Sequence, residues 1–234
     1  MIGYDLRKYE RADQRGIIDF FYSRQVDLVF DVGANVGQFA LGLRSLGYTG
    51  EIVSFEPIRS VFCELQNAMG NDRKWHGYNI ALGSEASVVQ INVSHKSVFS
   101  SIQRQTSAAQ AFDPYAATMR IESVRVEALD TIAEQHKFSR AFLKIDTQGY
   151  EEQVLKGSRT TLTKTVGVQL ELPIVHLYEG VWQFSSACKT MESLGFVPSV
   201  ILPVNYGRND QFALLEVDCV FRSTSPLSSV MDND

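Results

Sequence analysis

A chain of 234 residues with a formal net charge of −5 has room for one large domain or two small ones and shows no basic stripe of the kind that nucleic-acid binding normally needs. At 44% hydrophobic and 21% charged residues, it has the composition of an ordinary globular protein with ample material for a core. The three cysteines, Cys63, Cys188 and Cys219, form no CxxC pair and the four histidines are scattered, so neither a disulfide framework nor a metal site is expected.

The N-terminus, "MIGYDLRKYERADQRG", is charged throughout and lacks a signal-peptide core, and no apolar run approaches the roughly 18 residues of a membrane span. A cytoplasmic protein without a membrane span is the expectation. Residues 12–24 read as a first helix, part of an N-terminal helical extension over 1–25. "DLVFDVG" is a strand, followed by the helix "VGQFALGLRSLG" with Gly47 as its stop. The strand "EIVSFEP" ends at Pro57, and "IRSVFCELQNAM" carries Val61, Phe62 and Leu65 at helical spacing.

A third strand, "WHGYNIALG", precedes the alternating "SVVQINVS". Residues 95–123 show no sustained periodicity and read as a long irregular loop, the expected acceptor wall. The strand "RAFLKID" follows, then a helix from about Tyr150 to Thr163, the strand "TVGVQLEL", the helix "SSACKTMESLG" and the strands "FVPSVIL" and "FALLEVDCVFR". Alternating strands and helices predict a mostly parallel α/β sheet in one domain over 26–222, with a disordered tail over 223–234.

The turn after the first strand carries the chemistry. Aligned on Gly33, a dinucleotide fingerprint would place glycines where this chain has Asn35 and Gln38. The pattern present is DxGxNxG, from Asp31, Gly33, Asn35 and Gly37, and Asn is the residue besides glycine that best tolerates positive φ. Asp31 just before the turn would repel a pyrophosphate and suit the ammonium group of S-adenosylmethionine. Glu56, about 20 residues on at the end of the second strand, is placed to take the two ribose hydroxyls of either ligand. A dinucleotide-dependent oxidoreductase and a non-catalytic protein that binds S-adenosylmethionine are the alternatives.

Further along, period-two alternation puts Lys144 and Asp146 on one face of their strand, either as a structural pair or with Asp146 at the ligand. Glu171 shares a face with Gln169 near the same rim, and His176 follows just beyond it.

In order and spacing, "DVGANVGQFA", "SFEP", "NIALG" and "LKIDTQGYEEQVLKG" resemble the FkbM family of S-adenosylmethionine-dependent methyltransferases. That family usually carries Val and Glu where this chain has Thr147 and Gln148, so a carboxylate beside the site is missing here. The resemblance implies a class I methyltransferase fold, a Rossmann-like three-layer sandwich whose seven-stranded, mostly parallel sheet has an antiparallel last strand. It implies that Gly33, Asn35 and Gly37 line the donor, that Glu56 holds its ribose, and that Asn79, Ile80 and Ala81 flank its adenine; Asp31, Ala34 and Pro57 are also expected at the donor. Asp146 would lie near the methionine moiety or the acceptor. The expected reaction is O-methylation of a hydroxyl on a sugar, glycan or secondary metabolite, with Asp146, Glu171 and His176 as candidate bases.

Overall fold

The computed structural model describes residues 16–106, 116–175, 177–178, 180–207 and 210–225. Residues 16–24 are helical. The strands are β1 (Leu28–Val32), β2 (Glu51–Phe55), β3 (Trp75–Tyr78), β4 (Ala81–Leu82), β5 (Ser87–Ser94), β6 (Thr118–Glu127), β7 (Ala141–Ile145), β8 (Thr165–Pro173), β9 (Phe196–Gly207) and β10 (Asp210–Ser223). The helices are α1 (Gln38–Ser45), α2 (Arg59–Met69), α3 (Leu129–Ala133), α4 (Glu151–Lys156), α5 (Arg159–Leu162) and α6 (Phe184–Ser193).

Seven strands form one sheet in the order β3-β2-β1-β7-β8-β10-β9. The pairs from β3 to β8 are parallel, while β10 runs antiparallel to both β8 and β9. The sequence "LVFDV" of β1 is buried at every residue, because helices cover both faces of a parallel sheet. Alternation then divides its side chains. Leu28, Phe30 and Val32 face a core layer shared with α3, α4, α5 and α6. Val29 faces the opposite layer, with the 16–24 helix, α1 and α2, where Phe21 packs on Phe142 at a ring separation of 4.7 Å. The three-layer α/β sandwich and the antiparallel last strand agree with expectation.

Four local expectations are corrected. Residues 118–123 belong to β6, which pairs antiparallel with β5 and parallel with β4 in a separate three-stranded sheet. Their side chains are mostly exposed, so no apolar period marked them as a strand; the backbone ladder to β5 makes them one. The stretch "WHGYNIALG" divides at Asn79: β3 stays in the main sheet and β4 joins the smaller one. The helix over 150–163 breaks into α4 and α5 at Gly157, where a Cβ would lie 2.0 Å from the Gly83 carbonyl oxygen, so the passing chain forces a glycine and a turn. Finally, β10 runs to Ser223, into the span read as tail, while residues 226–234, like 1–15 and 107–115, lie outside the described residues.

Candidate active site

The parallel strands deliver their carboxyl ends to one side of the sheet, and chain order reverses between β1 and β7, the place where open α/β sheets bind ligands. A cavity of about 520 Å³ lies there.

Its first wall is the turn after β1. Gly33 has φ +74°, and a Cβ on it would lie 1.8 Å from the Asp146 carbonyl oxygen, so only glycine lets the ends of β1 and β7 come this close. Gly33 and Ala34 donate backbone N–H bonds to the Phe55 carbonyl, both at 3.0 Å. Asn35 takes the expected positive φ, 49°. Its N–H donates to Glu56 Oε2 at 3.0 Å, and Glu56 Oε1 accepts from the Ile58 N–H at 2.9 Å. Burial pushes the Glu56 carboxyl up to about 7, against the pull of these two N–H groups. Gly33, Ala34, Asn35, Glu56, Pro57, Ile80 and Ala81 all line the cavity.

Three of the residues expected at the donor do not line it. Asp31 is fully buried, on the α1 side of β1, with its Oδ1 3.3 Å from Lys144 Nζ. The register pairs Asp31 with Lys144, so the acid before the turn faces a lysine on the neighbouring strand. Gly37 caps α1 at φ +95°, beneath Leu65 of α2, where a Cβ would stand 2.9 Å from Leu65 Cδ1. Asn79 donates from Nδ2 to the carbonyls of Glu56 and Pro57, both at 2.9 Å, and so shapes the bend after β2.

The opposite wall is acidic. Lys144 Nζ lies 3.4 Å from Asp146 Oδ2 and donates to the Gly33 carbonyl at 3.1 Å. The two residues are thus paired as a structural unit, and both line the cavity. Burial opposes the charge on Lys144, yet Asp146, Asp31 and Asp218 together hold its pKa above the ordinary lysine value. Gln148, at φ 55°, donates from Nε2 to Asp146 Oδ1 at 3.0 Å and to Glu171 Oε2 at 2.7 Å. Burial and the charge of Asp146 raise the Glu171 carboxyl well above its ordinary range. Burial alone would raise Asp146 too, but Lys144 and hydrogen bonds from Glu171 and Gln148 outweigh it and lower its pKa. The surroundings thus favour the charged form of Asp146 and disfavour that of Glu171.

Sequence reasoning missed three members of this wall. Gln148 stood out only as a departure from the family pattern, and its amide is what bridges the two acids. Glu216 and Asp218 come from β10, and Asp218 lies across from Glu171 in the β8–β10 register. Burial pushes Asp218 up to about 6. His176 falls outside the described residues.

The segment expected as acceptor wall contributes Ser97 to Ser100 and Ile102. Ser97 Oγ donates to Asn35 Oδ1 at 3.0 Å, and Ser101 Oγ donates to the Gln148 carbonyl at 2.6 Å. The segment therefore spans both turns.

Among the described residues no helix is long and apolar enough to cross a membrane. A search of curated proteins gave no match. Similar solved structures include magnesium protoporphyrin IX methyltransferase from Synechocystis PCC 6803 with bound SAM, at 10% identity and TM-score 0.48, covering 94% of this chain and 82% of that one. The methyltransferase domain of bacterial CtHen1 matches at 12% identity and TM-score 0.48, over 91% of this chain and 97% of the other. A chain of the fibrillarin/Nop5p complex matches at 13% and 0.49, over 84% and 72%. Residues 31–198, well over half of the sequence, match the family described as Methyltransferase FkbM domain, and the chain belongs to that family.

Proposed function

We propose that this FkbM-family methyltransferase moves a methyl group from S-adenosylmethionine to a hydroxyl oxygen of a sugar, glycan or secondary metabolite. The observation that carries this reading is a single cavity with the Gly33–Asn35 turn and Glu56 on one wall and the Asp146–Gln148–Glu171 cluster on the other.

The residues fit the donor. A carboxylate has about four lone-pair positions, so Glu56, already accepting two backbone N–H bonds, keeps capacity for both ribose hydroxyls. Ile58, Ile80 and Ala81 supply apolar surface for the adenine. When bound, S-adenosylmethionine supplies a methyl group on a positively charged sulfur. The Asp146 carboxylate would accept a hydrogen bond from the acceptor hydroxyl and take its proton as the C–O bond forms and the sulfur–methyl bond breaks, leaving S-adenosylhomocysteine. Glu171 and Gln148 hold that carboxylate in place, and the remaining acids, Glu216 and Asp218, offer acceptors to neighbouring hydroxyls of a polyhydroxylated ligand. Positioning supplies much of the rate, because an oriented acceptor avoids the entropy of a bimolecular encounter.

The test is methyl transfer from S-adenosylmethionine to a panel of hydroxylated metabolites and glycans, with the methylated atom located by NMR. Asp146→Asn should lower turnover about 10²–10⁴-fold, the usual worth of a positioned base, and leave donor affinity within a few-fold. Transfer to nitrogen or carbon, or none to any hydroxyl, overturns the acceptor assignment. Thermal stabilisation by NAD and by neither S-adenosylmethionine nor S-adenosylhomocysteine overturns the donor assignment.

A further inference from the structure

Three metal-competent side chains that are far apart in sequence meet at the amino-terminal end of the sheet, away from the cavity. Glu51 is the first residue of β2, and His76 pairs with Val53 in the β2–β3 register. Side chains two residues apart on a strand, and those of register partners on a parallel neighbour, share a face. Glu51, Val53 and His76 therefore project to the same side, the one covered by α3. His136 arrives on that side just after α3. One donor atom each from Glu51, His76 and His136 lies within 4.8 Å of the others.

The geometry points to a divalent transition-metal site, of the zinc class, made by Glu51, His76 and His136. Two imidazoles and one carboxylate are a ligand set for zinc, nickel, copper or cobalt, whereas magnesium and calcium take oxygen ligands. Zn–N bonds of about 2.0–2.1 Å put tetrahedral donors about 3.3 Å apart, so small side-chain rotations close the observed spacing. His76 is exposed and Glu51 and His136 are half-buried, which leaves an open approach and room for water ligands.

The surroundings are organised as an outer shell for such a site. Tyr78 Oη lies 3.1 Å from His136 Nε2 and fixes the orientation of that ring, as partners of metal-bound histidines do. Tyr78 is itself stacked on Phe55, with centroids 5.5 Å apart and planes 18° from parallel. The His76 and His136 rings are 5.1 Å apart. A bound ion would clip β2, β3 and the α3–β7 connection together at the end of the sheet opposite the donor turn. Its role there is structural, with no part in methyl transfer.

Calorimetric titration of chelator-treated full-length chain with zinc chloride, repeated with magnesium chloride, tests the assignment. One zinc per chain is expected, with a rise in melting temperature and no comparable response to magnesium. His76→Ala, at an exposed position that tolerates truncation, should weaken zinc binding at least about tenfold, since losing a ligand costs no less than losing an outer-shell partner. It should also abolish the thermal shift while leaving S-adenosylmethionine affinity unchanged. Absence of stoichiometric zinc binding, equal binding of magnesium, or zinc affinity undiminished in both His76→Ala and His136→Ala overturns it.

Discussion

Glu56 sets a conflict between ligand binding and stability that is confined to one side chain. Its carboxyl is shifted from 4.5 up to about 7 by burial, with the Ile58 and Asn35 N–H groups limiting the rise. The folded protein therefore holds a proton that the unfolded chain has lost between those two values. Stability consequently falls as pH rises through that window, and the group adds no further change above it. On the proposed ribose role, donor binding has the opposite sign, because two ribose hydroxyls are best received by the ionised carboxylate. Donor affinity should drop about tenfold per pH unit below the folded pKa, one unit being worth about 1.36 kcal/mol. Calorimetric titration with S-adenosylhomocysteine across that pH range checks it, and Glu56→Gln should flatten the profile. An affinity independent of pH in the wild-type chain would remove Glu56 from the ribose role. This residue was legible in the sequence because a strand end followed by proline is a local signal. Gln148 was not, since its meaning lies in reaching Glu171 on another strand.

At the scale of elements, the β1–β7 pair decides what can be bound beside it. Asp31 and Lys144 are register partners and both are buried, so without Lys144 the fully buried Asp31 would be an uncompensated charge in the sheet. Lys144→Met should destabilise the fold by about 3–5 kcal/mol, whereas Asp31→Asn combined with Lys144→Met should recover much of that loss. Urea denaturation of the two variants makes the comparison, and equal destabilisation would mean that the pair is not the reason for the cost. The pair also explains why Asp31, expected at the donor from its charge, does not line the cavity. The strand and its acid were both recognisable, but the acid is fully buried against Lys144, a partner more than a hundred residues later in the chain, and it is Lys144 that reaches the cavity. The outline of β1, β2, β7 and β8 was readable because buried parallel strands are apolar runs. The upper half of β6 was not, because exposed residues held by a backbone ladder leave no pattern in side-chain polarity.

For the whole molecule, the sheet order brings the two ends of the chemistry together from distant parts of the chain. The Gly33–Asn35 turn and Glu56 follow β1 and β2, while the last of the acids comes from β10, whose antiparallel return no local pattern could register against β8. The 97–102 segment closes the space between them, held to β5 by paired backbone bonds between Asn92 and Ser101. Amide exchange should be slowest in β1, β2, β7 and β8, and residues 97–102 should gain protection when S-adenosylhomocysteine binds. Unchanged exchange there would separate this segment from the donor. Its grip on the two turns runs through the hydroxyls of Ser97 and Ser101. Hydrogen bonds of this kind are worth about 1 kcal/mol each, so a conformer with both latches released lies within reach of thermal motion, populated at up to a few per cent. If the donor occupies this cavity as proposed, such a conformer gives the spent donor an exit that leaves the main sheet and its helices undisturbed, and the rate of that breathing would bound how often the site can reload.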